Sequence, residues 1–114
     1  MKISAYEFGK ISIGDASFTS DVIITPDRVI DSWWRKQGHE LNIEDLDEIV
    51  QAKPEVLIVG TGYYGRLQVP EETRRYLKNR DIELIDTTTR EAVPEFNRLQ
   101  QEYAHIVAAL HLTC

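Results

Sequence analysis

The sequence predicts a single α/β domain, residues 1–114, on three observations. Short apolar alternations broken by glycine-bearing turns open the chain. An unbroken apolar run at 56–59 and a second buried-strand pattern at 82–85 stand one helix apart. Helical apolar spacing recurs at 43–50 and again from Ala92 to Tyr103.

In the first third, Ile3 and Ala5 alternate with polar neighbours, and Gly9 with Lys10 offers a two-residue hairpin turn before Ile11 and Ile13. Gly14 and Asp15 mark a second turn. Val22, Ile23 and Ile24 form a β-branched run closed by Thr25, Pro26 and Asp27, and a strand-like pattern resumes over 28–34. Four short strands on tight turns predict a meander or small sheet layer.

The period then changes. Ile43, Leu46, Ile49 and Val50 fall on one helical face, with Asn42 as N-cap and Pro54 as terminator. The run at 56–59 has no polar alternation, the mark of a strand covered on both faces. Pro70, followed by Glu71 and Glu72, reads as a first helical turn, and that helix extends to about Asn79. With the strand at 82–85 it completes a βαβ unit, which should be parallel and right-handed. Thr88 and Glu91 have capping-box spacing. Ala92, Phe96, Leu99 and Tyr103 form a helical stripe that Pro94 either starts or bends. A last strand is expected at 106–112.

Composition narrows the function. The chain is 42% hydrophobic and 28% charged, the balance of a soluble globular protein. Thirteen basic side chains against nineteen acidic ones give a net charge of -6. Such a chain lacks the attraction that draws proteins to phosphate backbones, so nucleic acid is not expected as a partner. Residues 1–8 alternate polar and apolar and read as neither signal peptide nor anchor, and the apolar run at 106–110 is too short to cross a bilayer. No membrane partner is expected. The single cysteine, Cys114, permits no internal disulfide and fits a cytoplasmic setting.

Gly60, Thr61, Gly62, Tyr63, Tyr64 and Gly65 match G-x-G-x-x-G directly after a buried strand, and Asp86 with Thr87 ends the next strand, where a ribose-binding acid would stand. Against a dinucleotide fingerprint, Pro70 sets the helix start several residues too late, and Glu71 and Glu72 would repel a phosphate there. The plainer reading is a turn at the carboxyl end of a parallel strand. Tyr63, Tyr64 and Arg66 are then candidates to touch a partner or small anion.

Trp33, Trp34 and Arg35 are the second feature. On a strand, neighbouring tryptophans point to opposite faces, so one packs between layers while the other covers an edge or meets a partner. Burial of both, with Arg35 stacked nearby, is the alternative. Trp and Arg are favoured in interface hot spots.

Chemistry finds little footing. His105 and His111 share strand parity, but residues six apart on a strand lie about 20 Å from each other, too far for one ion. His39 sits with Gly38 in a turn. No metal or cofactor is expected. There is no nucleophile elbow, and nothing in the sequence activates Cys114. Asp15, Asp21, Asp27 and Asp31 read as turn-forming or solvated carboxylates, and Glu44, Asp45, Asp47 and Glu48 as a solvated helix face. No residue combination supports an enzyme.

Taken in order, Asp21 to Ile24, Trp33 to Arg35 with Gly38 and His39, the run from Pro54 to Gly62, and the helical tail with Asn97 follow one pattern. Over nearly its whole length the chain resembles the family that includes the mitochondrial respiratory complex I assembly factor and the adipogenesis-associated domain protein. The resemblance implies a three-layer fold. Its central mixed sheet has five strands, the last antiparallel to the others, and early hairpin strands add an extra β layer. It carries no catalytic residues to transfer and hints at protein binding.

Two functions follow. One is a non-enzymatic interaction or complex-assembly module with an unidentified protein partner, its interface at Trp33, Trp34 and Arg35. The other is a small-molecule or nucleotide-binding domain using the 60–65 loop with Asp86 and Thr87. An edge strand or exposed tryptophan would also support a homodimer.

Overall fold

The computed structural model describes residues 1–114. Its strands are β1 (Ile3–Glu7), β2 (Lys10–Ile13), β3 (Ala16–Phe18), β4 (Val22–Ile24), β5 (Val29–Ile30), β6 (Val56–Thr61), β7 (Glu83–Thr87) and β8 (Ile106–His111). Its helices are α1 (Asp47–Gln51), entered through a 3-10 turn at Ile43–Leu46, α2 (Glu71–Lys78) and α3 (Thr89–Leu99). β1, β2 and β3 form an antiparallel meander, and the other strands form a mixed sheet in the order β5-β4-β8-β6-β7.

β6 is the hub. It pairs in parallel with β7 on one side and β8 on the other. Both connections into those strands are helical crossovers. Right-handedness on opposite sides of β6 sends their helices to opposite faces. The core divides accordingly. Val56, Ile58, Ala108 and Leu110 pack with Ala92, Phe96 and Leu99 of α3 and with Ile3, Ile11 and Ile13 of the meander. Leu57, Val59, Val107 and Ala109 face Leu46, Ile49 and Leu77 on the α1 and α2 side. The fold is therefore the three-layer arrangement expected, with the meander and α3 sharing one layer. Asn97 of α3 clamps the meander in place. Its side-chain oxygen accepts from the Ile3 N–H at 2.9 Å, and its amide donates back to the Ile3 carbonyl at 2.8 Å.

Three expectations need correction. The last strand is not antiparallel to the rest. The helix α3 returns the chain in the direction of β6, and the odd strand is β4, antiparallel to both β8 and β5. The first hairpin turns on Phe8 and Gly9, with Glu7 opposite Lys10, because Gly9 takes the positive φ of 79° that the second turn position needs. The strand over 28–34 shrinks to the two residues of β5. Ser32 enters the left-handed region at φ 54°, and the Trp33 N–H turns back to the Asp21 carbonyl at 2.9 Å.

Pro70 does mark the start of α2, as the cap immediately before Glu71. Helix α3 continues through Pro94 from Thr89 to Leu99. At its cap the Thr88 hydroxyl bonds the Glu91 carboxylate at 3.3 Å rather than a backbone amide. No helix is long and apolar enough to cross a membrane.

Candidate functional site

Three groups of residues bear on function. The first is the loop after β6. Gly60 and Thr61 still belong to the strand, and a Cβ on Gly60 would lie 2.8 Å from both Leu110 Cδ2 and Thr89 Oγ1. Only glycine lets the start of α3 approach so closely. Beyond it the loop closes on the chain's own last residues. The Gly62 N–H donates to Thr89 Oγ1 at 2.9 Å. The N–H groups of Tyr63 and Arg66 donate to the carbonyls of Thr113 and Cys114 at 2.6 and 3.0 Å, and those of Gly65 and Leu67 to Gly62 and Thr61.

These amides, which a phosphate cradle would need, are thus committed inside the molecule. Asp86 is bound by both terminal nitrogens of Arg74 from α2, at 3.2 and 2.6 Å. The Thr87 carbonyl accepts the Thr61 hydroxyl. What the loop shows to solvent is aromatic. Tyr63 and Tyr64 meet edge to face at 5.0 Å, Phe8 lies 5.8 Å from Tyr63, and the Arg90 guanidinium stands 4.4 Å over the Tyr63 ring.

The second group is a buried tie that sequence reasoning missed. Asp21, just before β4, and His111, ending β8, become neighbours because Val22 pairs with Leu110. One Asp21 oxygen receives Arg35 Nη1 at 2.8 Å and stands 2.8 Å from His111 Nδ1; the other accepts the Leu112 N–H at 2.8 Å. Arg35 also donates to the Gly38 carbonyl at 2.9 Å and lies 3.1 Å from His111 Nδ1. A protonated Nδ1 donates to Asp21; a bare one accepts from Arg35.

Burial pushes the Asp21 carboxyl up, but the bonds from His111 and the Leu112 amide, then the charges beside it, outweigh burial and hold it below the usual carboxylate range. The three residues that meet here come from three separate stretches, which no local pattern links. Each was visible in the sequence only as a turn acid, a lone strand histidine or a basic neighbour of tryptophan. The His39 ring, remote in sequence, stands edge-on to His111 at 6.1 Å. His111 Nε2 is enclosed and unpartnered, and none of the molecule's cavities is lined by His111. The Asp21, His111 and Arg35 side chains tie the start of β4 to the end of β8 and to the backbone at Gly38.

The third group surrounds the tryptophans. Trp33 is buried, with the Arg35 guanidinium 4.8 Å from its ring, whereas Trp34 is 76% exposed. Of the two alternatives the sequence left open, the structure has opposite fates for the pair, and irregular chain rather than a strand produces them. Beside them lies the largest cavity of the molecule, an open groove of about 560 Å³. Ile30, Trp33, Trp34 and Lys36 form one wall, and Glu44, Asp45, Asp47 and Glu48 form the other. The helix face read as merely solvated is thus one side of a groove.

A family model described as "Protein of unknown function (DUF498/DUF598)" matches residues 3–111. The chain belongs to that family. Among solved structures, a conserved hypothetical protein of Pyrococcus horikoshii OT3 superposes with a TM-score of 0.85 at 30% identity, over 100% of both chains. An outer membrane protein of Bartonella henselae gives 0.81 at 28% identity, over 98% of this chain and 94% of that one. A Mth938-like domain from Bordetella pertussis gives 0.70 at 20%, over 97% and 85%, and speaks for the fold alone. These superpositions span both the mixed sheet and the added three-stranded layer of this chain.

Proposed function

We propose that this DUF498/DUF598 protein is a non-enzymatic interaction module that docks a protein partner at the Trp34 groove, in the manner of an assembly factor. One observation carries the reading. A tryptophan left 76% exposed beside the largest groove is an unused anchor. Tryptophan is normally well buried, and it is among the residues most enriched in binding hot spots. Arg35, the other interface candidate, supports the site from within, because its side chain is held by the Asp21 carboxylate and the Gly38 carbonyl. The resemblance to assembly and regulatory proteins points the same way, and the single cysteine fits work in the cytoplasm.

Affinity capture from native lysate, run in parallel with wild type, Trp34→Ala and Tyr64→Ala, tests the proposal. The expected result is a defined partner lost with Trp34→Ala and kept with Tyr64→Ala. Capture unaffected by Trp34→Ala would overturn it.

A second reading rests on the exposed rings of Phe8 and Tyr64, 48% and 64% accessible, which form a platform for a flat small molecule beside Arg66. It ranks lower because the amides of Gly62, Tyr63 and Gly65 in that loop are already engaged. Thermal-shift screening against nucleotides, with Tyr64→Ala as control, addresses it.

A further inference from the structure

We infer that the segment seated in the Trp34 groove is extended and cationic, with arginine stacked on Trp34 and paired to Asp47 and Glu48. This rests on the interaction reading above and names its partner's chemistry.

The charges available in the groove decide the sign. Asp45 is committed to the fold, since its carboxylate accepts the backbone N–H groups of Lys36 and Asn42 at 3.0 and 2.9 Å. Glu44 is answered by Lys36, at 3.4 Å. Asp47 and Glu48 are exposed and have no cation within ion-pair distance anywhere in the molecule. An aromatic face beside unanswered carboxylates attracts a cation twice, through the ring quadrupole and by ion pairing. A guanidinium suits both contacts better than an ammonium because it is planar and binds carboxylates with two parallel bonds.

The shape sets the conformation. β5 is the outermost strand of the mixed sheet on this side, so its outer backbone groups have no strand partner. A second, smaller cavity shares Ile30 and Glu48 with the groove and continues past Asp27 and Arg28. The two together make a trough along the edge of β5, where an extended chain has backbone groups to meet. The buried indole N–H of Trp33, in the wall of the groove, has no acceptor of its own.

The probe is a short peptide of alternating glycine and arginine, titrated into isotope-labelled protein and followed by NMR. Peptides with leucine or glutamate in place of arginine serve as comparisons. Shifts should concentrate on the Trp34 indole and the amides of 28–36 and 44–48, with affinity falling as salt rises. Trp34→Ala, and separately Asp47→Asn with Glu48→Gln, should each weaken binding about tenfold or more. All these side chains are exposed, so the variants should fold normally, and their amide spectra check this.

Absence of groove shifts with the arginine peptide, shifts scattered over every acidic surface, or equal affinity for Trp34→Ala would each overturn the inference. A leucine peptide that seats as well would overturn the cationic partner while leaving the groove as an interface. The interaction reading itself is tested separately, and falls if lysate capture ignores Trp34→Ala.

Discussion

Asp21 shows how much one partly buried carboxylate organises. It joins the start of β4, the end of β8 and, through Arg35, the backbone at Gly38 that flanks the tryptophans. Removing one partner from such a tie leaves the others uncompensated, so Asp21→Asn should cost about 3 kcal/mol in urea unfolding at neutral pH. Because the fold holds Asp21 below the usual carboxylate range, its contribution is present above about pH 4 and lost as pH falls through the folded value. The gap between wild type and Asp21→Asn should therefore close in acid; a gap that ignores pH would contradict an ionic tie.

Tyr6 behaves oppositely. Burial pushes its hydroxyl, which donates to the Leu112 carbonyl at 2.7 Å, up to about 12, against a bond with Thr89 that lowers it. A raised folded value means stability held below about pH 10, the ordinary tyrosine value, and lost towards 12. Melting curves across that range should show a steeper alkaline loss for wild type than for Tyr6→Phe. Neither residue was legible from local pattern. Asp21 lies 90 positions from His111, and only the β4–β8 register brings them together.

Among elements, those signalled locally were readable. Pro70 announced α2, the apolar run at 56–59 announced β6, the buried-strand pattern at 82–85 announced β7, and Gly14 with Asp15 gave the second turn. What depended on distant partners was not. The 28–34 segment had a strand's composition, yet a bond from Trp33 to Asp21 and the positive φ of Ser32 ended β5 early. The 60–65 loop matched a phosphate-binding spacing, yet its amides found the 113–114 carbonyls.

Gly62 tests that closure. Its φ is 104°, and a Cβ there would fall 2.5 Å from the Cys114 carbonyl carbon. Gly62→Ala should cost about 2 kcal/mol or more and expose the Tyr63 and Arg66 amides to hydrogen exchange. Gly14→Ala, at φ 58° with nothing within 4 Å, carries only the backbone strain and should cost about 1 kcal/mol. Equal losses would show that the tail does not close the loop.

Over the whole molecule, the same device that buries Trp33 turns Trp34 outward. Arg35 is held by the core tie, Trp33 stacks under it, and the intervening residue has no inner layer left to enter. The groove thus adjoins the network that locks β4 to β8, although its walls include irregular chain. Charge follows the same division. Arg74, Arg75 and Arg98 are each answered by a carboxylate, while Asp47 and Glu48 face the groove unanswered. That face was the least legible from sequence, because an acidic helix start looks identical whether it meets water or a partner.

Photo-cross-linking from the groove, in the cells that make the protein, addresses this reading even while the partner is unidentified. A benzoylphenylalanine in place of Trp34 should yield a discrete adduct whose attachment maps to an arginine-bearing segment of one protein, with no such adduct from the same probe at Tyr64. An adduct formed equally from both positions, or none from position 34 in a folded variant, would contradict the groove as the docking surface.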